Sequence, residues 1–229
     1  AVIGGGISVL RAVFDLLEIE EMQVAQGALR QGALYDLLDR EQPETDLRTA
    51  TVNALMQRFA VDTAHAERVA ATACALFRQA AAPGSERAER KLEWAAKLHE
   101  VGCRISHSDY HRHGAYILDN TDAAGFALPE LHRLGILVLG QRGKVRKLEA
   151  DLSDASFALQ LICLRLAVAL CHARRAPDIT EMQLRMEPGT FTLKIPSRWP
   201  QAFPQSAHLL QEEMVAWQKT PWELRVQAD

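Results

Sequence analysis

Apolar residues recur along most of the chain at spacings of three and four residues, which is typical of amphipathic α-helices. This period predicts one helix over residues 52–59 and another after Asp62, which can cap its first turn and leave His65 and Leu76 on the inward face. Residues 153–174 are apolar on nearly every side, so they predict a central helix buried in the core. The pattern therefore predicts a mainly α protein.

The two ends of the chain depart from this period. After residue 177 the period changes to 2, which predicts a β-hairpin over residues 182–195, then a helix over 204–218 and a strand over 222–226. At the other end, an apolar run at residues 1–3, three glycines and a helical pattern predict a strand, a turn and a helix, and residues 22–38 predict a second strand and helix. Because two short strands do not form a stable sheet alone, we expect this region to be the end of a larger α/β lobe whose preceding residues are missing.

A polar segment over residues 39–46, which contains Pro43, marks a change in composition between the two kinds of pattern. We therefore predict three parts: the end of an α/β lobe at residues 1–38, a helical domain at 39–176 and a small α/β domain at 177–229.

Composition and charge exclude several classes of protein. The chain has 229 residues, is 48% hydrophobic and carries a net charge of −3, which argues against general nucleic-acid binding, so any anion site must come from local basic residues. The longest apolar run, residues 159–171, contains Gln160 and Arg165 and is too short for a membrane span, and the first residues of this sequence do not show the pattern of a signal peptide. We expect a cytoplasmic protein whose four cysteines are reduced thiols.

The residues most suited to catalysis or ligand binding are concentrated in residues 97–118. This segment holds four histidines and one acid beside the first of them. The pattern places His99 and Glu100 at the last turn of a helix that Gly102 can end as a C-cap. A basic loop at residues 141–147 follows, with four positive charges in seven residues. Such a loop is either a solvated turn or a contact for a long polyanion. Several neighbouring cations bind a polyanion favourably because binding releases its counterions.

Four segments together resemble the C-terminal half of the exopolyphosphatase/guanosine pentaphosphate phosphohydrolase family. They are GGGISVLRAVFDLL at residues 4–17, ALRQGALYDLL at 28–38, LHEVG at 98–102 and ISHSDYHRHGAYIL at 105–118. The resemblance covers nearly the whole chain. It implies a hydrolase in which an N-terminal, two-lobed domain like that of actin and Hsp70 cleaves terminal phosphoanhydrides with Mg²⁺ and a catalytic glutamate.

The resemblance places the start of this chain inside the second actin/Hsp70-like lobe, at a nucleotide or phosphate turn formed by Gly4, Gly5, Gly6 and Ser8. The catalytic residues would then lie outside this sequence, so we expect the isolated chain to have no exopolyphosphatase activity and no cofactor of its own. It would instead bind polyphosphate or guanosine pentaphosphate and form a homodimer. A purely structural or interaction module is the alternative from another class.

The helical part also resembles an HD-type phosphohydrolase domain, whose metal is held by a His, a His-Asp pair and a distant Asp. His65 matches the first ligand and His99 the second, but Glu100 replaces the Asp of the pair. No carboxylate lies between Asp154 and Asp178, and the buried helix offers Arg165 instead, which would repel a divalent ion. We therefore expect a degenerate site without metal, in which Glu100 and Arg165 form a buried ion pair.

Two alternatives to that ion pair stay open. One is a working HD-type metal-dependent phosphohydrolase, and the other is a site in which Arg165 and the histidines hold a phosphate. The expected track for polyphosphate combines the basic loop with the cations and histidines before it, although these could equally form a polar hinge between domains. Its predicted members are Arg104, His107, His111, Arg112, His113, Arg142, Lys144, Arg146 and Lys147.

Overall fold

The computed structural model describes residues 2–21 and 46–228, which belong to two compact units, residues 1–44 and 45–229. The first unit contributes helix α1 (Val2–Leu17). The second contributes six longer helices before its strands: α2 (Leu47–Arg58), α3 (Thr63–Ala80), α4 (Glu86–Lys97), α5 (Tyr110–Asp119), α6 (Leu128–Gly140) and α7 (Ala155–Leu170). It ends with β1 (Gln183–Glu187), β2 (Thr190–Ile195), α8 (Trp199–Ala202), α9 (Pro204–Trp217) and β3 (Glu223–Ala228).

The predicted strand and glycine turn at the start of the chain are wrong, because residues 2–17 form a single helix. Gly4, Gly5 and Gly6 lie inside α1 with open space around each, and the Ser8 hydroxyl donates to the Gly4 carbonyl at 3.0 Å. The spacing of apolar residues explains the outcome, since Ile3, Ile7 and Leu10 keep the helical period across the three glycines. A glycine weakens a helix by about 1 kcal/mol without forbidding it. The strand and helix predicted over residues 22–38, and the boundary at 38/39, lie outside the described residues.

The mainly α prediction is confirmed in the second unit, where α7 is the central helix. Three aspartates cap the N-termini of helices: Asp46 of α2, Asp62 of α3 and Asp154 of α7, each accepting backbone N–H groups with its side chain. Helix α7 contacts α3, α4, α6 and α9, and nearly all of its residues are buried. None of the helices in residues 2–21 and 46–228 is both long and apolar enough to cross a bilayer.

A close backbone contact, rather than a C-cap, explains Gly102. Helix α4 ends at Lys97, and Gly102 lies in a short 3₁₀ helix, Val101–Arg104, that packs under the first turns of α5. A Cβ atom at this position would lie 2.0 Å from the Tyr110 carbonyl oxygen and 2.5 Å from the Gly114 nitrogen. Only glycine allows this approach, which fixes the turn carrying His99 against α5.

The predicted hairpin is confirmed and gains a third strand. Strands β1 and β2 are antiparallel across a turn at Gly189, whose φ is +74°, and β3 pairs with β2 in parallel after α9 crosses over. Phe191 on β2 stacks on Trp222 with ring centroids 4.7 Å apart and meets Trp217 edge-on at 5.7 Å. These side chains belong to the same apolar core as α7, so residues 45–229 form one unit across the boundary predicted at 176/177.

A buried ion pair joins this C-terminal part to the central helix. Arg165, in the middle of α7, is 3% exposed, and its Nε and Nη2 atoms donate to the carboxylate of Glu213 on α9 at 2.6 and 2.8 Å. Its Nη1 atom donates to the carbonyl oxygen of Gly140 at the end of α6, at 2.6 Å. The predicted pair of Glu100 with Arg165 is therefore wrong, because a partner 48 residues away on α9 satisfies the guanidinium.

Replacing Arg165 with leucine should lower the free energy of unfolding by about 3–5 kcal/mol, because the carboxylate of Glu213 would lose its partner in a mostly buried setting. Urea unfolding followed by circular dichroism measures this change. The double variant Arg165→Leu/Glu213→Leu should recover part of the loss, since no unpaired charge remains. Arg198→Leu is the control, because Arg198 pairs with Glu181 on an exposed surface. Equal effects of Arg165→Leu and Arg198→Leu would contradict the buried pair.

Candidate functional site

A cleft of about 590 Å³ lies where several helix ends converge in the second unit. The start of α3, the turn after α4, and the ends of α6 and α7 form its walls, and one face of α9 closes the side. Three histidines, three arginines and three glutamates line it: His65, His99, His172, Arg142, Arg165, Arg174, Glu100, Glu212 and Glu213. The cleft thus gathers all four residues of the predicted degenerate site.

The inner end of the cleft holds two imidazoles and a carboxylate. His65 is 5% exposed and His99 is 1% exposed, with their ring centroids 5.3 Å apart. The Nε2 atom of His65 lies 4.0 Å from Oε1 of Glu100, and one potential ligand atom from each of the three residues lies within 4.8 Å of the others. We call His65, His99 and Glu100 the inner triad. Three potential ligand atoms at these distances are close enough to hold one metal ion.

Burial keeps both imidazoles of the inner triad neutral. It lowers the pKa of His99 to about 4, and the nearby Glu100 carboxylate opposes this shift only in part. The pKa of His65 is lowered for the same reason. The Nδ1 atom of His99 lies 2.7 Å from the Ala96 carbonyl oxygen, which can only accept, so Nδ1 carries the hydrogen and Nε2 keeps a free lone pair. Neutral imidazoles with a lone pair can bind a divalent metal ion.

Arg174 supplies a cation directly beside the inner triad. Its Nη2 atom donates to Oε1 of Glu100 at 2.9 Å, and its Nη1 atom donates to Oδ2 of Asp62 at 2.8 Å. Arg174 has a φ of +55°, a left-handed conformation that costs a non-glycine residue about 1–2 kcal/mol. This conformation occurs in the turn after α7, and the guanidinium of the same residue bridges two carboxylates. Arg174 thus takes the role beside Glu100 that the sequence assigned to Arg165.

The opposite wall of the cleft is formed by the residues after α6. Gln141 is 2% exposed and donates through Nε2 to the carbonyl oxygen of His99, while its Oε1 atom has no partner among the described residues. The guanidinium of Arg142 lies over the ring of Tyr110 at 5.7 Å, and the side chain is exposed. Arg142 has no carboxylate partner in the described part of the chain, so its charge is available to a ligand.

The structure divides the predicted polyphosphate track. Of its nine members, Arg142 lines the cleft, and His111 lies next to it, with Nε2 3.6 Å from the position of a Cβ at Gly143. Residues 145–148 form a 3₁₀ helix that buries Val145 and Leu148, so the remaining cations of the loop face solvent. The members that do not line the cleft and are exposed are Arg104, His107, Arg112, Lys144, Arg146 and Lys147; His113 is half-buried and does not line it either.

Sequence reasoning missed Arg174, His172 and the residues of α9 that line the cleft. The first two follow the end of α7 in the segment CHARR, whose basic residues were a usable signal. The face of α9 gave no signal, because its apolar and polar residues alternate without a clear helical stripe. The ion pair of Glu213 with Arg165 and the buried side chains of Leu210 and Trp217 hold α9 in this position.

A family profile and individual relatives point to the same protein family. The profile described as "Ppx/GppA phosphatase, domain III" matches residues 47–215. Guanosine-5'-triphosphate,3'-diphosphate pyrophosphatase of Vibrio atlanticus is 34% identical over 227 residues, which cover 97% of this chain and 46% of the relative. Enzymes of the same name from Aeromonas hydrophila and Pseudoalteromonas translucida are 34% and 33% identical, and each alignment covers 96% of this chain and 46% of the relative.

The chain therefore spans about half the length of the curated relatives it matches. The matched profile covers well over half of the chain and includes the whole inner triad, Arg165 and Arg174. The four sequence segments indicated a resemblance to the exopolyphosphatase/guanosine pentaphosphate phosphohydrolase family, and this resemblance is confirmed. This chain belongs to the Ppx/GppA phosphatase family, to whose domain III its residues 47–215 correspond.

Proposed function

We propose that this chain is the C-terminal part of a phosphoanhydride hydrolase and that its cleft binds a phosphate chain, either polyphosphate or the phosphates of guanosine pentaphosphate. The observation that carries the proposal is the presence of Arg142 and Arg174 in one cleft of about 590 Å³. Each guanidinium group can donate two parallel hydrogen bonds to the oxygens of a phosphate, which suits a chain of closely spaced phosphates. The relatives named above support this substrate class, since their name includes a guanosine nucleotide with two phosphorylated positions.

The same geometry supports a binding role rather than a cleaving role for the cleft. Glu100 is paired with Arg174, and Glu213 is paired with Arg165, so neither carboxylate is free to act as a general base. The Mg²⁺ and catalytic glutamate that the family resemblance implies would then act from the other lobes of such an enzyme. Homodimer formation also stays a proposal, and sedimentation equilibrium of the purified chain would measure it.

A second candidate function, metal-dependent phosphohydrolysis, is favoured by the inner triad. The sequence argument against a metal was repulsion by Arg165, but the carboxylate of Glu213 neutralises that cation. Two neutral imidazoles and one carboxylate are suitable ligands for a divalent transition metal, although they supply three positions where HD-type sites use more. A metal would have to displace Arg174 from Glu100, which makes this the weaker candidate.

Binding of long-chain polyphosphate should depend on Arg142 and Arg174 more than on the exposed cations of the basic loop. The variant Arg142→Gln/Arg174→Gln should weaken binding at least tenfold, since it removes two guanidinium groups from the cleft. It should also make the dependence of log affinity on log salt concentration shallower by about one to two units. Isothermal titration calorimetry at several salt concentrations measures both quantities.

The matched control for this experiment is Lys144→Gln/Arg146→Gln, which removes the same charge outside the cleft. It should weaken binding only slightly, because water and salt screen exposed charges that lie away from the ligand. Equal losses in the two double variants would show that net charge, and not the cleft, binds polyphosphate. No detectable binding by the parent chain would reject the proposed function.

The metal candidate makes a separate prediction. If the inner triad binds a divalent ion, calorimetric titration with Zn²⁺ or Mn²⁺ should show one site that His65→Ala and His99→Gln each abolish. Arg174→Gln should tighten binding, because it removes the cation that competes for Glu100. His132→Ala is the control, since His132 is exposed and pairs with Asp119 away from the cleft. Absence of stoichiometric binding in both the parent and Arg174→Gln would exclude this candidate.

A further inference from the structure

A second pocket, of about 310 Å³, lies between the turn after α7 and the start of α9. Most of its lining is apolar, and the aromatic side chains of Trp199 and Phe203 belong to it. His172 and Gln205 stand between this pocket and the cleft, so the two are separate sites. The proposed function does not use the second pocket.

The aromatic part of the wall suits a flat apolar group. The short helix α8 begins at Trp199, and Phe203 follows its end, with the two ring centroids 5.4 Å apart at an angle of 36°. Trp199 is 6% exposed and belongs to the core, while Phe203 is 47% exposed. A fixed indole beside an accessible phenyl ring offers a flat ligand an apolar surface for stacking.

The first turn of α9 opens onto this pocket through Pro204, Gln205 and Ser206. The first backbone hydrogen bond of the helix runs from the Ala207 N–H to the Phe203 carbonyl oxygen at 2.9 Å, and no side chain caps this end. Proline has no N–H, and the backbone N–H groups of Gln205 and Ser206 have no acceptor among the described residues. Free N–H groups and the helix dipole together favour an anion at this position.

The side chain of Ser206 supplies a further unused donor. Ser206 is 6% exposed, and its hydroxyl oxygen lies 3.4 Å from Nδ1 of His172. That nitrogen also lies 3.0 Å from the Ala169 carbonyl oxygen, which only accepts, so Nδ1 carries the hydrogen. The hydroxyl oxygen can then accept from Nδ1, but its own hydrogen has no acceptor in the described part of the chain. A buried hydroxyl with an unused hydrogen in the pocket wall indicates a ligand that carries an acceptor.

Two exposed charged residues also line this pocket, Arg175 and Asp178. No described residue forms an ion pair or a hydrogen bond with the Arg175 side chain. Asp178 accepts hydrogen bonds from the hydroxyl and the backbone N–H of Thr180, and these bonds lower the pKa of its carboxyl, so it is ionised at neutral pH. One cation and one carboxylate give the wall no net charge. The uncapped helix end therefore suits a ligand with a single negative charge better than a polyanion.

We propose that the second pocket binds a small monocarboxylate with a flat apolar body. Its carboxylate accepts hydrogen bonds from the first turn of α9 and from the Ser206 hydroxyl, and Arg175 adds an attractive charge. Its apolar body packs against Trp199 and Phe203. Few polar groups in a mainly apolar wall are typical of small-molecule sites. This inference does not depend on the ligand of the cleft.

Cinnamate tests the proposal, because it joins one carboxylate to a flat phenyl group. Titration into the ¹⁵N-labelled chain should give saturable shifts of the backbone amide resonances of Gln205 and Ser206. Cinnamamide has the same shape without the charge, and acetate lacks the apolar body. Each should bind at least about tenfold more weakly than cinnamate, because each lacks one of the two contributions to affinity.

Variants separate the two contributions. Arg175→Gln and Ser206→Ala should each weaken the binding of cinnamate severalfold and leave that of cinnamamide nearly unchanged, because they remove groups that act on the carboxylate. Phe203→Ala should weaken the binding of both compounds, because it removes part of the apolar wall. Arg185→Gln is the matched control for Arg175→Gln, since Arg185 is exposed on β1 outside the pocket.

Absence of cinnamate binding, or shifts that spare Gln205 and Ser206, would overturn the proposal. Equal affinities for cinnamate and cinnamamide would overturn it as well, and so would equal effects of Arg175→Gln and Arg185→Gln. Tripolyphosphate is titrated in parallel. If it shifts the amides of Gln205 and Ser206 at lower concentration than cinnamate does, this helix end binds phosphates and the monocarboxylate site is rejected.

Discussion

A guanidinium in the middle of the buried central helix, α7, is the constraint on which the C-terminal part of this chain depends. Arg165 is almost fully buried, and leaving it unpaired would be costly, so the fold must bring it a carboxylate and a carbonyl oxygen. Glu213 supplies the first and Gly140 the second, and both contacts are short. Meeting this requirement fixes one face of α9 and the end of α6 at the same side of α7. The cleft is the space that remains between them.

That arrangement also sets the electrostatics of the cleft. Arg165 is buried and bonded within the protein, so it offers little to a ligand. Arg142 lines the cleft with an exposed side chain, and Arg174 is half-exposed and keeps further N–H donors beside its bonds to Glu100 and Asp62. The inner triad stays neutral at its imidazoles, since burial lowers the pKa values of His65 and His99. Under the proposed function, a phosphate chain would be held by the guanidinium groups, whereas a metal would have to enter deeper and compete with Arg174 for Glu100. Both candidate functions use the same cleft and differ in which end the ligand occupies.

The sequence predicted local features well and long-range partners poorly. The period of apolar residues located α3 and α7, and Asp62 caps α3 as expected, while Asp154 caps α7. The glycines at the start of the chain predicted a turn, yet the apolar period continues through them as a helix, because local flexibility permits a turn without requiring one. The partner of Arg165 could not be read from spacing, since Glu213 reaches it only after α9 folds back. The basic loop looked like one patch, but the burial of Val145 and Leu148 turns most of its cations away from the cleft.

The central claim, that the cleft binds phosphate chains through Arg142 and Arg174, is tested most directly by the Nε–Hε resonances of the arginine side chains in ¹⁵N-labelled protein titrated with tripolyphosphate. We expect saturable shifts of the resonances of Arg142 and Arg174, with those of the exposed surface residues Arg198 and Arg225 unchanged. Shifts spread evenly over all four arginines, or no shift for Arg142 and Arg174, would contradict it.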